Sequence, residues 1–181
     1  SNGTLIDIET AEQIKDAAGQ TVAVISEARA AAAAAHCSTD LARIYTTALP
    51  SDIWPLRYLR NAASLSTQDQ LRLARAAIAV VGAGGLGGHI AVTCARMGIG
   101  TIIIADPDVF EESNLNRQML ATAASLGANK AEAAKKAISA INPAATVVAH
   151  PVRLTEQNAE KILSNADAAA DALDSVSARM T

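Results

Sequence analysis

The sequence contains few aromatic residues and no excess of positive charge. One Trp, two Tyr and one Phe occur among 181 residues, and 15 basic residues stand against 18 acidic ones, for a formal net charge of −3. Proteins that bind nucleic acid need clustered Lys and Arg for the phosphates, and often aromatic rings for unstacked bases. We therefore expect no nucleic-acid partner.

Cysteines and long apolar runs are also scarce. Cys37 and Cys94 are the only cysteines, and their separation indicates neither a disulfide framework nor a metal site. Cys94 is expected to be a small buried hydrophobic residue. No stretch reaches the ~18 uncharged apolar residues of a membrane span, because Glu27 and Arg29 interrupt the alanine-rich segment. With half of its residues hydrophobic, the sequence predicts a globular, cytoplasmic protein with no membrane partner.

A glycine-rich segment separates two β-branched runs. The run over 77–81 leads into Gly82, Gly84, Gly85 and Gly87, and a helical pattern follows. This order predicts a βαβ unit that binds a nucleotide. Gly82 is expected to make the tight turn, and Gly84 and Gly85 to let backbone N–H groups approach a phosphate. Gly87 is expected to let the helix pack close to the sheet.

An acidic residue and a polar crossover follow the second predicted strand. Asp106 stands 24 positions after Gly82, close to where this motif places a carboxylate that accepts hydrogen bonds from ribose. Asn114, Arg117 and Gln118 lie on the crossover from the carboxyl end of that strand, where ligands of open parallel sheets bind. All of them are therefore candidate nucleotide-binding residues.

The rest of the sequence predicts a Rossmann-like α/β fold. Two more strands are expected over 145–150 and 168–173, with helices over 128–141 and 155–163. Right-handed crossovers give a parallel sheet of order 3-2-1-4 with helices on both faces. The small apolar residues of the fourth strand predict burial on both its faces. Asp174 follows this strand and is expected to face the glycine loop across the crevice.

The segment before this domain has a helix-forming composition. A capping pattern over 10–13 and many alanines predict helix over 11–35, with Gly19 as a candidate break that would split it in two. We therefore predict a helical appendage over residues 1–55 and an ATP-binding domain over 56–181. No function for the appendage follows from its sequence.

Five motifs stand between residues 57 and 179: Gly82-Ala-Gly-Gly-Leu-Gly87, Ser113-Asn-Leu-Asn-Arg-Gln118, Gly127-x-x-Lys130, Ile141-Asn-Pro143 and Asp171-Ala-Leu-Asp174. Together they resemble the ThiF/MoeB/HesA adenylyltransferases, which share their fold with ubiquitin-activating enzymes. The resemblance implies ATP-dependent adenylylation of the C-terminal glycine carboxylate of a ubiquitin-like sulfur-carrier protein ending in Gly-Gly, with release of pyrophosphate.

The implied reaction requires positive charge and a metal, because a carboxylate must meet the α-phosphate while pyrophosphate leaves. Arg117 and Lys130 would contact the phosphates, the first as a fork and the second as a point charge. Asn114 and Gln118 would orient oxygens. Asp174 would hold Mg²⁺, which favours one or two carboxylates beside substrate phosphates.

The resemblance also implies features outside the crevice. Arg60 would reach the ATP phosphates of a neighbouring subunit, which predicts a homodimer, although Asn61 replaces the glutamine usual at the next position. Arg179 matches an arginine of the family. Because relatives continue with further strands, we expect the chain to be part of a longer protein, with zinc only if a cysteine quartet exists beyond residue 181.

Three other functions fit parts of the pattern. An NAD-dependent oxidoreductase shares the glycine motif and Asp106, but it leaves Arg117, Lys130 and Asp174 without a role. A non-catalytic Rossmann-fold subunit would have no need of the cationic residues Arg117 and Lys130. A tRNA-base-adenylylating dehydratase of the same family is disfavoured by the acidic balance. The sequence does not distinguish molybdenum or tungsten cofactor from thiamine as the destination of the sulfur.

Overall fold

Two β-sheets organise the chain in the computed structural model, which describes residues 11–16 and 18–174. The chain divides between Arg75 and Ala76 into two units, one around each sheet. Within the described residues, none of the helices has both the length and the apolar character of a membrane span.

Among its described residues, the first unit contains a small sheet and three α-helices. Strand β1 pairs with β2 in antiparallel orientation, and β2 pairs with β3 in parallel orientation. Short 3-10 helices cover Leu49–Ser51 and Leu56–Ala63. The other elements, in chain order, are β1 (Glu12–Lys15), β2 (Thr21–Ile25), α1 (Glu27–His36), α2 (Leu41–Ala48), β3 (Ile53–Pro55) and α3 (Thr67–Arg75).

The predicted helix over 11–35 is wrong in its first half, where the chain forms a hairpin. Gly19 adopts a φ of +79°, which turns the chain between β1 and β2. The Asp16 carboxylate accepts hydrogen bonds from the N–H groups of Ala18 and Gln20, at 2.9 and 2.8 Å. These turn interactions and the β-branched residues of β2 outweigh the helical propensity of the flanking alanines. Residue 10 of the predicted capping pattern lies outside the described residues.

The boundary between the units also differs from the predicted boundary after residue 55. Helix α3 contacts α2 and the 3-10 helix Leu49–Ser51, so it belongs with the first unit. The sequence shows no composition change at this position, because α3 is amphipathic like the helices of the second unit.

The second unit is a parallel sheet with helices on both faces, as predicted. Its strand order is β6-β5-β4-β7, which confirms the predicted order 3-2-1-4. Short 3-10 helices cover Glu112–Asn114 and Ala123–Ser125. The other elements are β4 (Ala77–Val81), α4 (Gly85–Met97), β5 (Thr101–Ala105), α5 (Lys130–Ile141), β6 (Thr146–His150), α6 (Glu156–Leu163) and β7 (Ala168–Asp171).

The core of this unit lies on both faces of β4 and β5. On one face, Val80, Ile102 and Ile104 are fully buried against α4 and α5, where alanines allow the helices to approach closely. On the other face, Ile103 packs with Ile162 of α6. Burial of each large aliphatic side chain contributes roughly 1.5–3 kcal/mol, which holds both helical layers on the sheet.

The prediction that strand β7 is buried on both faces is wrong. Ala168, Ala169 and Asp171 are exposed, because β7 is an edge strand whose neighbour within the described part of the chain is β4 alone. Small apolar residues therefore indicated the strand correctly but not its position in the sheet.

The side chain of Asn142 gives the Ile141-Asn-Pro143 motif a structural role. Its side chain is 1% exposed, donates to the backbone oxygen of Ala95 at 2.8 Å and accepts from the N–H of Ala144 at 3.1 Å. It thus joins the end of α5 to the last turn of α4 and shapes the turn into β6.

We predict that Asn142→Ser lowers the free energy of unfolding by about 1–3 kcal/mol, because serine cannot reach the buried carbonyl of Ala95. Urea-induced unfolding followed by circular dichroism would measure the change. The exposed Asn165→Ser is the control and should leave the midpoint in place. Equal midpoints for the two variants would show that the Asn142 bond contributes nothing net.

Candidate functional site

A cavity of about 440 Å³ opens at the carboxyl ends of the parallel strands in the second unit. Its walls come from the glycine loop, the crossover after β5, the start of α5 and the segments after β6 and β7. The structure brings most of the predicted site residues to this cavity. Those that line it are Gly82, Gly84, Gly85, Asp106, Arg117, Gln118, Lys130 and Asp174.

The glycine loop depends on two glycines with different roles. Gly82 has a φ of +92°, so it turns the chain directly after β4. A Cβ on Gly87 would lie 1.7 Å from the backbone oxygen of Gly82, and only glycine fits there. This close approach places the start of α4, with the partial positive charge of its first N–H groups, at the cavity wall beside Gly84 and Gly85.

The Asp106 carboxylate joins the glycine loop to the segment after β5 through two hydrogen bonds. Its side chain is 4% exposed; Oδ2 accepts from the N–H of Ala83 at 2.6 Å and Oδ1 from the N–H of Asp108 at 2.8 Å. Each carboxylate oxygen keeps a further lone pair, so Asp106 can still accept hydrogen bonds at the cavity. Its predicted contact with ribose remains a prediction.

Lys130 brings an almost buried ammonium group to the same wall. It is the first residue of α5 and is 8% exposed, with Nζ 3.4 Å from Oδ2 of Asp108. The Asp108 side chain is 63% exposed, so water weakens its pairing with the lysine. A nearly buried cation beside a solvated carboxylate is suited to an anionic ligand.

Gln118 presents an unsatisfied acceptor in this region. The residue is 7% exposed, and among the described residues its Oε1 has no hydrogen-bond partner. Gly84 lies next to this amide. A buried amide oxygen without a partner carries an energetic cost, so Gln118 is a cavity residue whose polar group the described residues leave unsatisfied.

Arg117 is exposed and also lines the cavity. Its Nη1 donates to the backbone oxygen of Ser113 at 2.8 Å and to Oδ1 of Asn116 at 3.2 Å. The guanidinium group has further N–H donors beyond these two bonds.

Three predicted site residues lie elsewhere. Gly87 packs against Gly82, as described above. Asn114 is buried, and its Oδ1 accepts from the N–H of Glu111 at 3.0 Å, so it closes the 3-10 turn of the crossover. It borders a second cavity of about 440 Å³, which shares Pro107, Asp108 and Lys130 with the first.

Arg60 belongs to the first unit, where it is exposed on the 3-10 helix Leu56–Ala63. Neighbouring residues hold this helix: Arg57 pairs with Glu27, and the Tyr58 ring packs edge-to-face on Tyr45 at 5.8 Å between centroids. Burial raises the pKa of Tyr45 to about 12, so this ring stays neutral. Arg179 lies outside the described residues.

Asp108, Arg153 and Leu154 are among the cavity residues that were not predicted from the sequence. Asp108 comes two positions after Asp106, and Arg153 and Leu154 follow the carboxyl end of β6. Their nearness to strand ends was a usable signal, because ligands bind at that edge of a parallel sheet. The path of a loop, however, decides which of its side chains reaches the cavity.

The carboxylates of the cavity wall are compatible with magnesium bound together with phosphates. Within residues 11–16 and 18–174 there is no cluster of three or more His, Cys, Asp or Glu that could hold a metal ion alone. Mg²⁺ needs only one or two carboxylates when phosphate oxygens supply other ligands. Asp108 and Asp174 provide carboxylates of this kind.

Cys94 is half-buried on α4 against the core, as expected for a small hydrophobic residue. Burial raises the pKa of its thiol, which disfavours the reactive thiolate.

Comparison with protein families gives a match over most of the chain. The model described as "ThiF family" matches residues 58–181. A sulfur carrier protein adenylyltransferase of Thermus thermophilus is 43% identical over 112 residues, which are 62% of this chain and 41% of that protein. The adenylyltransferase and sulfurtransferase MOCS3 of Aedes aegypti is 40% identical over 125 residues, 68% of this chain and 29% of that protein. The chain therefore spans less than half the length of these relatives.

Solved structures with the same fold include two with bound ATP. Escherichia coli tRNA N6-threonylcarbamoyladenosine dehydratase, TcdA, in complex with ATP, gives a TM-score of 0.65 at 35% identity, covering 68% of this chain and 51% of that one. E. coli MccB with ATP gives a TM-score of 0.53 at 31% identity, covering 58% and 33%.

We predict that Gly87→Ala destabilises the second unit by roughly 3 kcal/mol or more, because the methyl group must push the backbone of α4 away from Gly82. Thermal and urea unfolding would measure this loss. Gly85→Ala is the matched control in the same turn, since its Cβ would meet nothing closer than 3.8 Å. A Gly87→Ala protein as stable as the control would contradict the close approach.

Proposed function

Since the chain belongs to the ThiF family, we propose that it forms the nucleotide-binding part of an adenylyltransferase that activates the C-terminal carboxylate of a ubiquitin-like sulfur-carrier protein with ATP. The observation that carries this proposal is the convergence of the glycine loop, the nearly buried Lys130 and the Gln118 side chain on one cavity. The names of the related adenylyltransferases supply the kind of substrate.

A triphosphate fits the charges of this cavity. The start of α4 offers N–H donors and the positive end of the helix dipole, and Lys130 adds a nearly desolvated cation. The ATP-bound relatives support the choice of nucleotide. The phosphates would take over the pairing with Lys130 that Asp108 provides weakly in this structure.

In the proposed reaction a carboxylate oxygen of the carrier attacks the α-phosphorus of ATP. A new P–O bond forms, the bond to the β-phosphate oxygen breaks, and pyrophosphate leaves with that electron pair. The carboxylate is ionised at neutral pH, so the step needs no general base. Lys130 and Arg117 would stabilise the negative charge that builds up on the phosphate oxygens.

The other predicted residues take supporting roles in this proposal. Asp174 would hold Mg²⁺, which would neutralise charge on the departing pyrophosphate. Asp106 would accept hydrogen bonds from ribose, and the Gln118 amide would orient an oxygen or nitrogen of the substrate. Asn114 would act by closing the turn that presents Arg117.

The proposed complete enzyme is a cytoplasmic homodimer in which Arg60 of one copy reaches the phosphates bound by the other. Exposure of Arg60 leaves it available for such a contact. Sulfur transfer towards molybdenum or tungsten cofactor, or towards thiamine, is the expected use of the activated carrier.

A second candidate is adenylylation of a modified tRNA base. It is favoured by the similarity to TcdA, whose TM-score reaches 0.67. A net charge of −3 argues against it, because tRNA binding depends on cationic surface. The two candidates differ in which molecule is needed for pyrophosphate release.

We predict that the full-length enzyme, of which this chain would be one part, exchanges labelled pyrophosphate into ATP only when a carrier ending in Gly-Gly is added. Lys130→Ala and Arg117→Ala should each lower the exchange rate roughly 10²-fold or more, since their charges matter most in the transition state. Lys161→Ala, an exposed lysine on α6, is the control and should exchange normally. Exchange that needs tRNA instead of the carrier would favour the second candidate, and exchange unaffected by either substitution would contradict this site.

A further inference from the structure

The side chain of Asn129 connects two walls of the cavity. It caps α5, where its Oδ1 accepts from the N–H groups of Ala131 and Glu132 at 2.9 and 3.2 Å. Its Nδ2 donates to the backbone oxygens of Asp106 and Asp108, both at 3.0 Å. One amide therefore holds the start of α5 and the end of β5 together.

These bonds complete a connection from the glycine loop to Lys130. The loop is tied to Asp106 through the N–H of Ala83, and Asp106 is tied to Asn129. Lys130 follows Asn129 directly, and its own N–H donates to the backbone oxygen of Asp108 at 2.8 Å. The place of the Lys130 ammonium relative to the glycine loop depends on this short series of bonds.

The Asn129 amide donates two hydrogen bonds and accepts two at the same time, so the residue type at this position matters. Aspartate has nearly the same shape and caps a helix well, but it has no N–H to donate. Serine also caps a helix, but it is too short to bridge the two backbone oxygens. Asparagine supplies both functions at this length.

We infer that Asn129 is a positioning residue, which sets the location of Lys130 for the phosphates; this inference rests on the proposed ATP site. Asn129 is absent from the cavity lining among the described residues, so it acts through Lys130. Its loss should therefore release the lysine without removing any group that touches the substrate.

The first test needs no nucleotide. Each variant is treated with a small acylating reagent, and modification of Lys130 is followed by peptide mass spectrometry relative to the exposed Lys161. In Asn129→Ser the helix cap is kept and the two donations are lost, so Lys130 should react roughly five- to tenfold faster as the local structure opens. Asn142→Ser, which removes a comparable amide bond away from the cavity, should leave the Lys130 rate unchanged.

The second test is a double-substitution cycle on ATP binding measured by calorimetry. Asn129→Ser should weaken ATP binding roughly tenfold when Lys130 is present and less than twofold in the Lys130→Ala protein, because residues that act through one group are not additive. Asn142→Ser should leave the ATP affinity of each background unchanged.

Two results would overturn the inference: an unchanged Lys130 labelling rate in folded Asn129→Ser, or an equal loss of ATP affinity with and without Lys130. If Asn129→Ser does not fold, Asn129→Asp takes its place, since it keeps the cap and benefits from the helix dipole. Failure of the wild-type protein to bind ATP would contradict the proposed function, while the labelling rate would still decide the role of Asn129.

Discussion

The close approach of α4 to the backbone of Gly82 is the constraint on which the second unit depends. It requires glycine at position 87, because a Cβ there would overlap the Gly82 oxygen, and it requires the left-handed φ of Gly82. The glycine loop that leads into α4 is joined to the end of β5 by Asp106, whose carboxylate accepts the N–H of Ala83. The nucleotide-binding geometry is therefore a consequence of how tightly one helix packs on one turn.

The electrostatics of the cavity follow from this packing. The positive end of α4 and the nearly buried Lys130 stand on neighbouring walls, while Asp108 partly balances the lysine from a solvated position. A site of this kind favours a ligand with several negative charges over one with a single charge, because each cationic group gains a full partner only when the ligand enters. The asymmetry between buried cation and exposed acid thus favours exchange of Asp108 for phosphate.

Sequence reasoning succeeded where a single local cause determines the structure. The β-branched runs, the small apolar run over 168–173 and the glycine spacing predicted the four parallel strands and their order, because a crossover helix joins each of these strands to the next. It failed for the hairpin over 12–25, where turn contacts of Asp16 and Gly19 prevail over alanine propensity. It also missed Arg153 and Asn129, since their roles depend on loop paths that join segments distant in the chain.

Membership of the ThiF family and the cavity geometry lead to the same central claim, that the second unit is an ATP site rather than a nicotinamide site. Calorimetric titration of the protein with ATP and Mg²⁺, and separately with NAD, tests this claim most directly. We predict that ATP binds more tightly than NAD, since a triphosphate would engage both Lys130 and Arg117 beyond the start of α4. Tighter binding of NAD would contradict it.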